Sequence, residues 1–373
     1  MNWRDAVVSM KPGSGTKGLD EAHENHATSY RRELGKTASV RVGTRYGGPP
    51  PGEHGPWRWG QLEPGSPLEK ELRAEIASYP RRLPRRLRRY YRGKVAWVTG
   101  ADRGLGERVA INLAVNGAKV ILSGLSLAEL ERVQRLCILA WMKAVNWEIS
   151  KAVAKGWTRL DRALVLPLDV RDDFILPDAA RNAESMLGRP IDMVFHCAGT
   201  DVVAGSKGVI GVDLAVMEAI LWGAVGLTKA VLPSMLHRQE GHIVAIAGGS
   251  SLLTTPEGRS AEAASRHAVR GYFDSLRAEV ARDRIKVTVV HPGPMKPFTT
   301  QLQKGTQRRS DPSREHDQNH RALDTDAVAR KLLAAAAQGR QEVFVSKRRV
   351  FSGLQGVLGR WGFLRKQVHG RTT

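Results

Sequence analysis

Cysteine is almost absent from this chain: Cys137 and Cys197 are the only two among 373 residues. Two thiols exclude a small secreted scaffold held by disulfides and a structural zinc site built from cysteines. Long apolar runs are missing as well. The strongest candidate, Ala215 to Leu232, is interrupted by Glu218 and Lys229 and reads as a buried helix rather than a membrane span. The first residues lack the short apolar core of a secretory signal, which argues against secretion. Asp5, Asp20, Glu21 and Glu24 interrupt what would otherwise be an acid-poor mitochondrial presequence.

Acidic residues are in deficit. There are 37 Asp+Glu against 58 Lys+Arg, a formal net charge of +21. Such an excess points to a polyanionic partner: nucleic acid, an anionic membrane or an acidic protein surface. The excess is unevenly placed. Residues 1–93 hold 18 basic and 10 acidic groups, residues 94–295 hold 24 and 21, and residues 296–373 hold 16 and 6. A nearly neutral middle is thus flanked by two basic arms.

What is present reads as a globular chain, 42% hydrophobic and 25% charged. Residues 1–65 are rich in Gly, Pro, Ser and Thr, include Pro49-Pro50-Pro51, and read as an extended or disordered extension. Residues 66–93 read as a helix plus an arginine-rich linker. Ser66-Pro67-Leu68-Glu69 supplies the capping hydroxyl, the proline at the first helical position and the Glu three residues after the cap. The arginine-dense stretch from Pro80 to Arg89 contains no acid. It suits either a solvated linker or an anionic partner.

From Lys94 the pattern alternates. Short apolar segments at Val95–Val98, Lys119–Leu122, Leu164–Leu168, Ile191–Phe195, His242–Ile246 and Val287–Val290 predict strands, with longer helical patterns between them. That alternation predicts an α/β fold: a doubly wound (Rossmann) parallel sheet covered by helices on both faces. The domain is expected over 94–297, with a tryptophan-rich insertion at about 138–162 and a C-terminal part over 298–347. The insertion holds Trp141, Trp147 and Trp157. It makes either an extended helix burying its own stripe or a contact surface. Residues 348–373 place Val350, Leu354, Val357, Trp361 and Leu364 at helical spacing among arginines. This basic amphipathic tail suits an anionic membrane surface, a partner groove, or its own domain.

The first predicted strand runs into Thr99-Gly100-Ala101-Asp102-Arg103-Gly104-Leu105-Gly106. Glycines there let the backbone turn tightly and approach a pyrophosphate at a helix N-terminus. The spacing TGxxxGxG, together with Leu168-Asp169-Val170, Cys197-Ala198-Gly199, the segment Leu227–Pro233 and His291-Pro292-Gly293-Pro294, resembles the short-chain dehydrogenase/reductases. The phrase from Ser265 to Glu279, SRHAVRGYFDSLRAE, is similar to their SDR family member 7 group in particular.

The resemblance implies a dinucleotide pocket at Thr99, Gly100, Arg103, Gly104, Leu105, Gly106, Asp169, Ala198, Gly199, Pro292 and Gly293. Asp169 matches the adenine contact. Arg103 matches a base that NADP-dependent members set against the 2′-phosphate, although a solvated loop charge is its other reading. Ser123-Gly124-Leu125, at the end of the second strand, contains no acid, which favours NADP(H) over NAD(H) if a cofactor binds.

The family's catalytic Asn, Ser, Tyr and Lys map onto Ile220, Gly248, Glu262 and Arg266. All four are changed. Ser250 and Ser251 lie nearby and could substitute for the serine only through a shifted loop. Glu262, four residues before Arg266, is expected to be an ionised ion-pair partner and therefore a poor proton donor. His196 stands in the family's Asn-Asn-Ala-Gly segment and reads as a strand-end residue rather than a base or metal ligand, and no metal site is expected. Tyr90 and Lys94 share the Tyr-x-x-x-Lys spacing but precede the first strand, where that spacing reads as coincidence.

The leading expectation is a catalytically inactive member of this fold, an accessory or scaffold subunit of a larger, mitochondrial assembly with protein partners. It would retain NADP(H) or no cofactor, and a small-molecule substrate is doubtful. The alternatives are an NADP(H)-dependent oxidoreductase of a lipid, steroid or retinoid carbonyl, and an RNA-binding assembly protein using its arginine arms on phosphates.

Overall fold

A computed structural model describes residues 82–144, 162–199, 210–251, 259–295 and 322–346. The extension at 1–65, the helix expected from Ser66, most of the tryptophan-rich insertion and the basic tail lie outside the described residues.

Seven strands form one all-parallel sheet: β1 Val95–Thr99, β2 Lys119–Ser123, β3 Ala163–Val165, β4 Met193–His196, β5 Gly241–Ile246, β6 Ile285–Pro292 and β7 Glu342–Val345. Their order is β3-β2-β1-β4-β5-β6-β7. The chain winds outward from β1 in one direction and from β4 in the other, so the topological switch lies between β1 and β4. Ligands of open α/β sheets sit in the crevice beyond the strand ends at such a point. The strands are apolar on both sides because helices cover both faces; β1 is buried at all five positions. At the sheet's centre the Trp97 indole N–H donates to Ser123 Oγ at 2.8 Å, and Ser123 Oγ donates to the Leu166 carbonyl at 2.7 Å. These bonds tie β1, β2 and the segment after β3 together.

The helices are α1 Arg85–Tyr91, α2 Gly104–Val115, α3 Leu127–Ala144, α4 Leu176–Leu187, α5 Ile210–Met217, α6 Gly223–Arg238, α7 Ser260–Glu279 and α8 Thr325–Ala337. Between α5 and α6 a π-turn spans Glu218–Trp222, so residues 210–238 form one continuous helix. Among the described residues this is the one helix long and apolar enough to cross a membrane by length and composition. It lies against the sheet instead, burying Val216, Ile220, Leu221, Leu227, Val231 and Met235 in the core.

Six strands fall where the sequence places them; β7 is the addition. The arginine-rich segment is also more than a linker. Residues 85–91 are helical, and the segment is anchored at both ends. The Leu83 amide donates to Asn116 Oδ1 at 3.0 Å, and the buried Tyr91 hydroxyl donates to the Leu333 carbonyl at 2.6 Å. Tyr90 reaches the start of β5, where its hydroxyl lies 2.8 Å from His242 Nδ1. Thr288 Oγ1 gives its proton to the Arg340 carbonyl (2.7 Å) and so accepts from His242 Nε2, leaving Nδ1 to accept from Tyr90. Lys94 and Lys286 each hold their Nζ 4.9 Å from the Tyr90 ring centre. The Tyr90–Lys94 spacing thus serves a cation–π contact at the N-terminal edge of the sheet, away from the crevice.

Candidate active site

The turn after β1 is built by close backbone approach. A Cβ at Gly100 would stand 2.9 Å from the Ala198 Cα, and one at Gly106 would stand 2.0 Å from the Gly100 carbonyl oxygen. The first turn of α2 can sit on the strand end only because both residues lack side chains. Gly104, by contrast, has φ +60°, and among the described residues no atom from another part of the chain lies within 4 Å of its would-be Cβ. The Thr99 hydroxyl accepts from the Ala198 amide at 3.2 Å, locking the end of β1 to the segment after β4. A glycine turn opening directly into the N-terminus of α2, where the first amides have no partner within the helix, fits a pyrophosphate. The residues present therefore fit a dinucleotide, which would supply the hydride for any redox chemistry here.

Across the crevice, α7 carries Glu262 and Arg266. Arg266 Nε donates to Glu262 Oε1 at 2.9 Å, and Arg259 donates to Oε2 at 2.8 Å. Burial alone would raise the Glu262 carboxyl, but the two guanidinium groups carry it below its ordinary value. It is ionised at neutral pH, as its spacing to Arg266 predicts. The arginine continues past Glu262 toward the end of β5. A Cβ on Gly248 would stand 3.0 Å from Arg266 Cδ and 3.3 Å from Nε, and a Cβ on Gly199 would be 3.7 Å from the outer guanidinium nitrogen. Gly248 itself adopts φ +73°, a left-handed conformation that suits glycine. Arg266 and Gly248 are complementary: the arginine fills the space that a side chain at 248 would enter.

Residues 94–309 match the family model described as short chain dehydrogenase. The chain belongs to the short-chain dehydrogenase family. Its relatives include a dehydrogenase/reductase SDR family protein 7-like of Anopheles gambiae, 37% identical over 55% of this chain and 60% of that protein. SDR family member 7B of Mus musculus is 37% identical over 57% and 61%, so the chain spans about three-fifths of the length of each. A Drosophila melanogaster SDR family protein 7-like is 32% identical over 68% and 73%. Among solved structures, one titled as a short-chain alcohol dehydrogenase of Sinorhizobium meliloti 1021 aligns with TM-score 0.57 and 21% identity, covering 70% of this chain and 97% of that one. A metagenomic short-chain oxidoreductase in complex with NADP aligns with TM-score 0.51 and 22% identity over 69% and 97%. At these identities the two structures speak for the shared fold.

Within this short-chain dehydrogenase, Thr99 to Gly106, Ala198, Gly199 and Gly248 gather at the strand ends, and Pro292 and Gly293 follow at the end of β6, buried against Gly249 and β7. The Gly293 amide donates to the Val345 carbonyl at 2.8 Å, and a Cβ on Gly249 would lie 3.2 Å from the Pro292 oxygen. Leu105 is buried on the inner side of α2. Arg103 is exposed. Both Asp169 carboxylate oxygens are engaged by Arg171, the shorter contact being 2.6 Å. Ile220 is buried within the π-turn. Ser251 does not replace the missing serine: it is buried, donates to the Gly248 carbonyl at 2.6 Å, and lies 2.7 Å from His291 Nδ1, whose Nε2 meets Glu342. His196 ends β4 as expected, buried with Nε2 2.8 Å from Thr228 Oγ1. No group of potential metal ligands occurs among the described residues. Sequence reasoning missed the pairing of Arg266 with Gly248, because only the fold brings the two together.

The pairing leaves no room for a side chain at position 248, which Gly248→Ser tests. The variant is expected to lose roughly 1–2 kcal/mol from the left-handed backbone and its contact with the arginine. A lowered melting temperature with no gain in carbonyl reduction checks it.

Proposed function

We propose that this chain is a non-catalytic short-chain dehydrogenase that keeps a dinucleotide cradle and works through protein partners in a larger assembly. The observation that carries the reading is Arg266, whose side chain occupies the place of the missing serine while holding Glu262 as a carboxylate. A carboxylate has no proton to deliver to a developing alkoxide, and its charge opposes the oxyanion. The glycine turn at the N-terminus of α2 supports retained dinucleotide binding.

Partner binding draws support from two surfaces. Ile210, Leu214 and Trp222 are exposed apolar side chains at four- and eight-residue spacing along one helix. Arg82, Arg85, Arg86, Arg89 and Arg92 are exposed and unpaired with any carboxylate among the described residues. They suit an anionic surface, whether an acidic protein, a membrane or RNA. The basic charge and the assembly role support a mitochondrial setting, which fractionation tests.

The test uses the full chain with NADH and NADPH against a panel of lipid, steroid and retinoid carbonyls, alongside native sizing of the protein from its source cells. We expect no reduction above background and a particle larger than the monomer. Sustained cofactor consumption proportional to protein would instead establish the oxidoreductase reading, which the intact cradle supports. A lone monomer would remove the assembly.

A further inference from the structure

The end of β2 is where an acidic side chain accepts the adenosine ribose hydroxyls in dinucleotide folds and repels a 2′-phosphate. In this chain Ser123-Gly124-Leu125-Ser126 holds no acid, yet the fold brings one there from another segment. Asp102, in the glycine-rich turn, is 9% exposed and projects under Gly124. A Cβ on Gly124 would stand 2.7 Å from the Asp102 Cγ, 2.8 Å from Oδ1 and 2.9 Å from Oδ2. The carboxylate occupies the volume in which the side chain of residue 124 would begin. Gly124 is the residue that makes room for it.

Hydrogen bonding fixes the group in place. Asp102 Oδ2 accepts from the Leu125 amide at 3.2 Å and from the Ser126 amide at 3.4 Å. These amides lead into the N-terminus of α3, where backbone donors and the helix dipole favour an anion. The anion seat at the ribose end of the cradle is therefore already taken by a carboxylate. Oδ1 makes no hydrogen bond among the described residues and keeps its lone pairs for a hydroxyl.

We propose that Asp102 sets the cofactor's 2′ preference, so that the cradle takes NAD(H) over NADP(H). The inference rests on the dinucleotide-binding reading above and reverses the preference read from the sequence. A 2′-phosphate would bring a second and a third negative charge to a site whose Leu125 and Ser126 amides are already used by Asp102. Arg103 is the one neighbouring cation in the turn, but it is exposed, and a solvent-screened guanidinium contributes little to holding an ion. The two adjacent residues pull in opposite directions; the fixed, buried-side carboxylate prevails over the exposed base.

The experiment is a binding titration of the full chain with NADH and NADPH, followed by reduced-nicotinamide fluorescence and by calorimetry, for the wild type and Asp102→Asn. Asparagine keeps the shape and an acceptor oxygen for the two amides but removes the charge. We expect wild type to bind NADH about tenfold or more tightly over NADPH. Asp102→Asn should bring the two within about threefold, mainly by strengthening NADPH. A melting curve for each protein shows that it is folded. Tighter NADPH binding by wild type, or a ratio that Asp102→Asn leaves unmoved, overturns this inference while leaving the cradle intact. Binding of neither nucleotide by folded wild type overturns the cradle reading, and this inference with it.

Discussion

Lowering the pH from 7 toward 3 is expected to unfold this domain, with two buried histidines adding to the titration of its carboxylates. Burial holds both His196 and His242 down to about 3, against an ordinary 6.5, with Lys286 and Lys94 adding to the effect at His242. Below pH 6.5 the unfolded chain takes up a proton at each imidazole and the folded chain does not. The stabilisation is complete above 6.5 and is lost as pH falls toward 3. Each histidine contributes a slope of about 1.4 kcal/mol per pH unit, so the pair approaches about 3 kcal/mol per unit below pH 5.5. Between 6.5 and about 3 the pair removes about 9 kcal/mol in all, so a domain of about 5–9 kcal/mol net stability reaches its unfolding midpoint between roughly pH 4.5 and 3. Urea unfolding at half-unit pH steps measures the slope. His242→Gln should halve it, since only one imidazole then remains to be charged. A stability that stays flat from pH 7 to 4.5 contradicts the buried, neutral state of both rings.

Gly106→Ala is expected to be the most damaging small substitution in the molecule. Its methyl would lie 2.0 Å from the Gly100 oxygen and 2.7 Å from the Gly100 carbonyl carbon. Those atoms are backbone and have no rotamer to escape into, so either α2 lifts from the turn or the turn opens. The expected cost is about 3 kcal/mol or more, at the upper end for overpacked sites, with loss of nucleotide binding. Gly104→Ala is the contrast. It meets open space and pays only the left-handed backbone, about 1–2 kcal/mol. Melting curves and nucleotide titrations of both variants check the ranking, and equal effects would mean that the close approach at Gly106 is not what the helix needs.

The fold was legible because its signals are local. Val95–Val98, Lys119–Leu122 and Val287–Val290 are apolar, β-branched runs separated by helical periods, and each became a strand. β7 was not read because its four residues bury only Val343 and Val345, a pattern too short to stand out after Gly339 and Arg340. The arginine-rich stretch read as a linker because its charges hide two anchors, Leu83 and Tyr91, whose partners Asn116 and Leu333 are distant in sequence. The glycine turn was equally plain, and the ionised state of Glu262 followed from a four-residue spacing. What could not be read were couplings between segments. Gly248 looked like a deleted serine, whereas in space it is the clearance for Arg266. Gly124 looked like the absence of an acid, whereas it is the clearance for Asp102. In both cases a glycine marks where a side chain from elsewhere has moved in.

Tyr90 and Tyr91 give the molecule two working ends. The cradle lies beyond the C-terminal ends of the strands, while these rings key the arginine helix to the opposite edge, through His242 and the Leu333 carbonyl. The exposed arginines of α1 therefore lie toward the N-terminal ends of the strands, opposite the crevice. If the arginines take a partner and the cradle a dinucleotide, as proposed above, the two contacts fall at opposite ends of the strands, like a lamp fixed by its base, and attachment and nucleotide exchange need not compete.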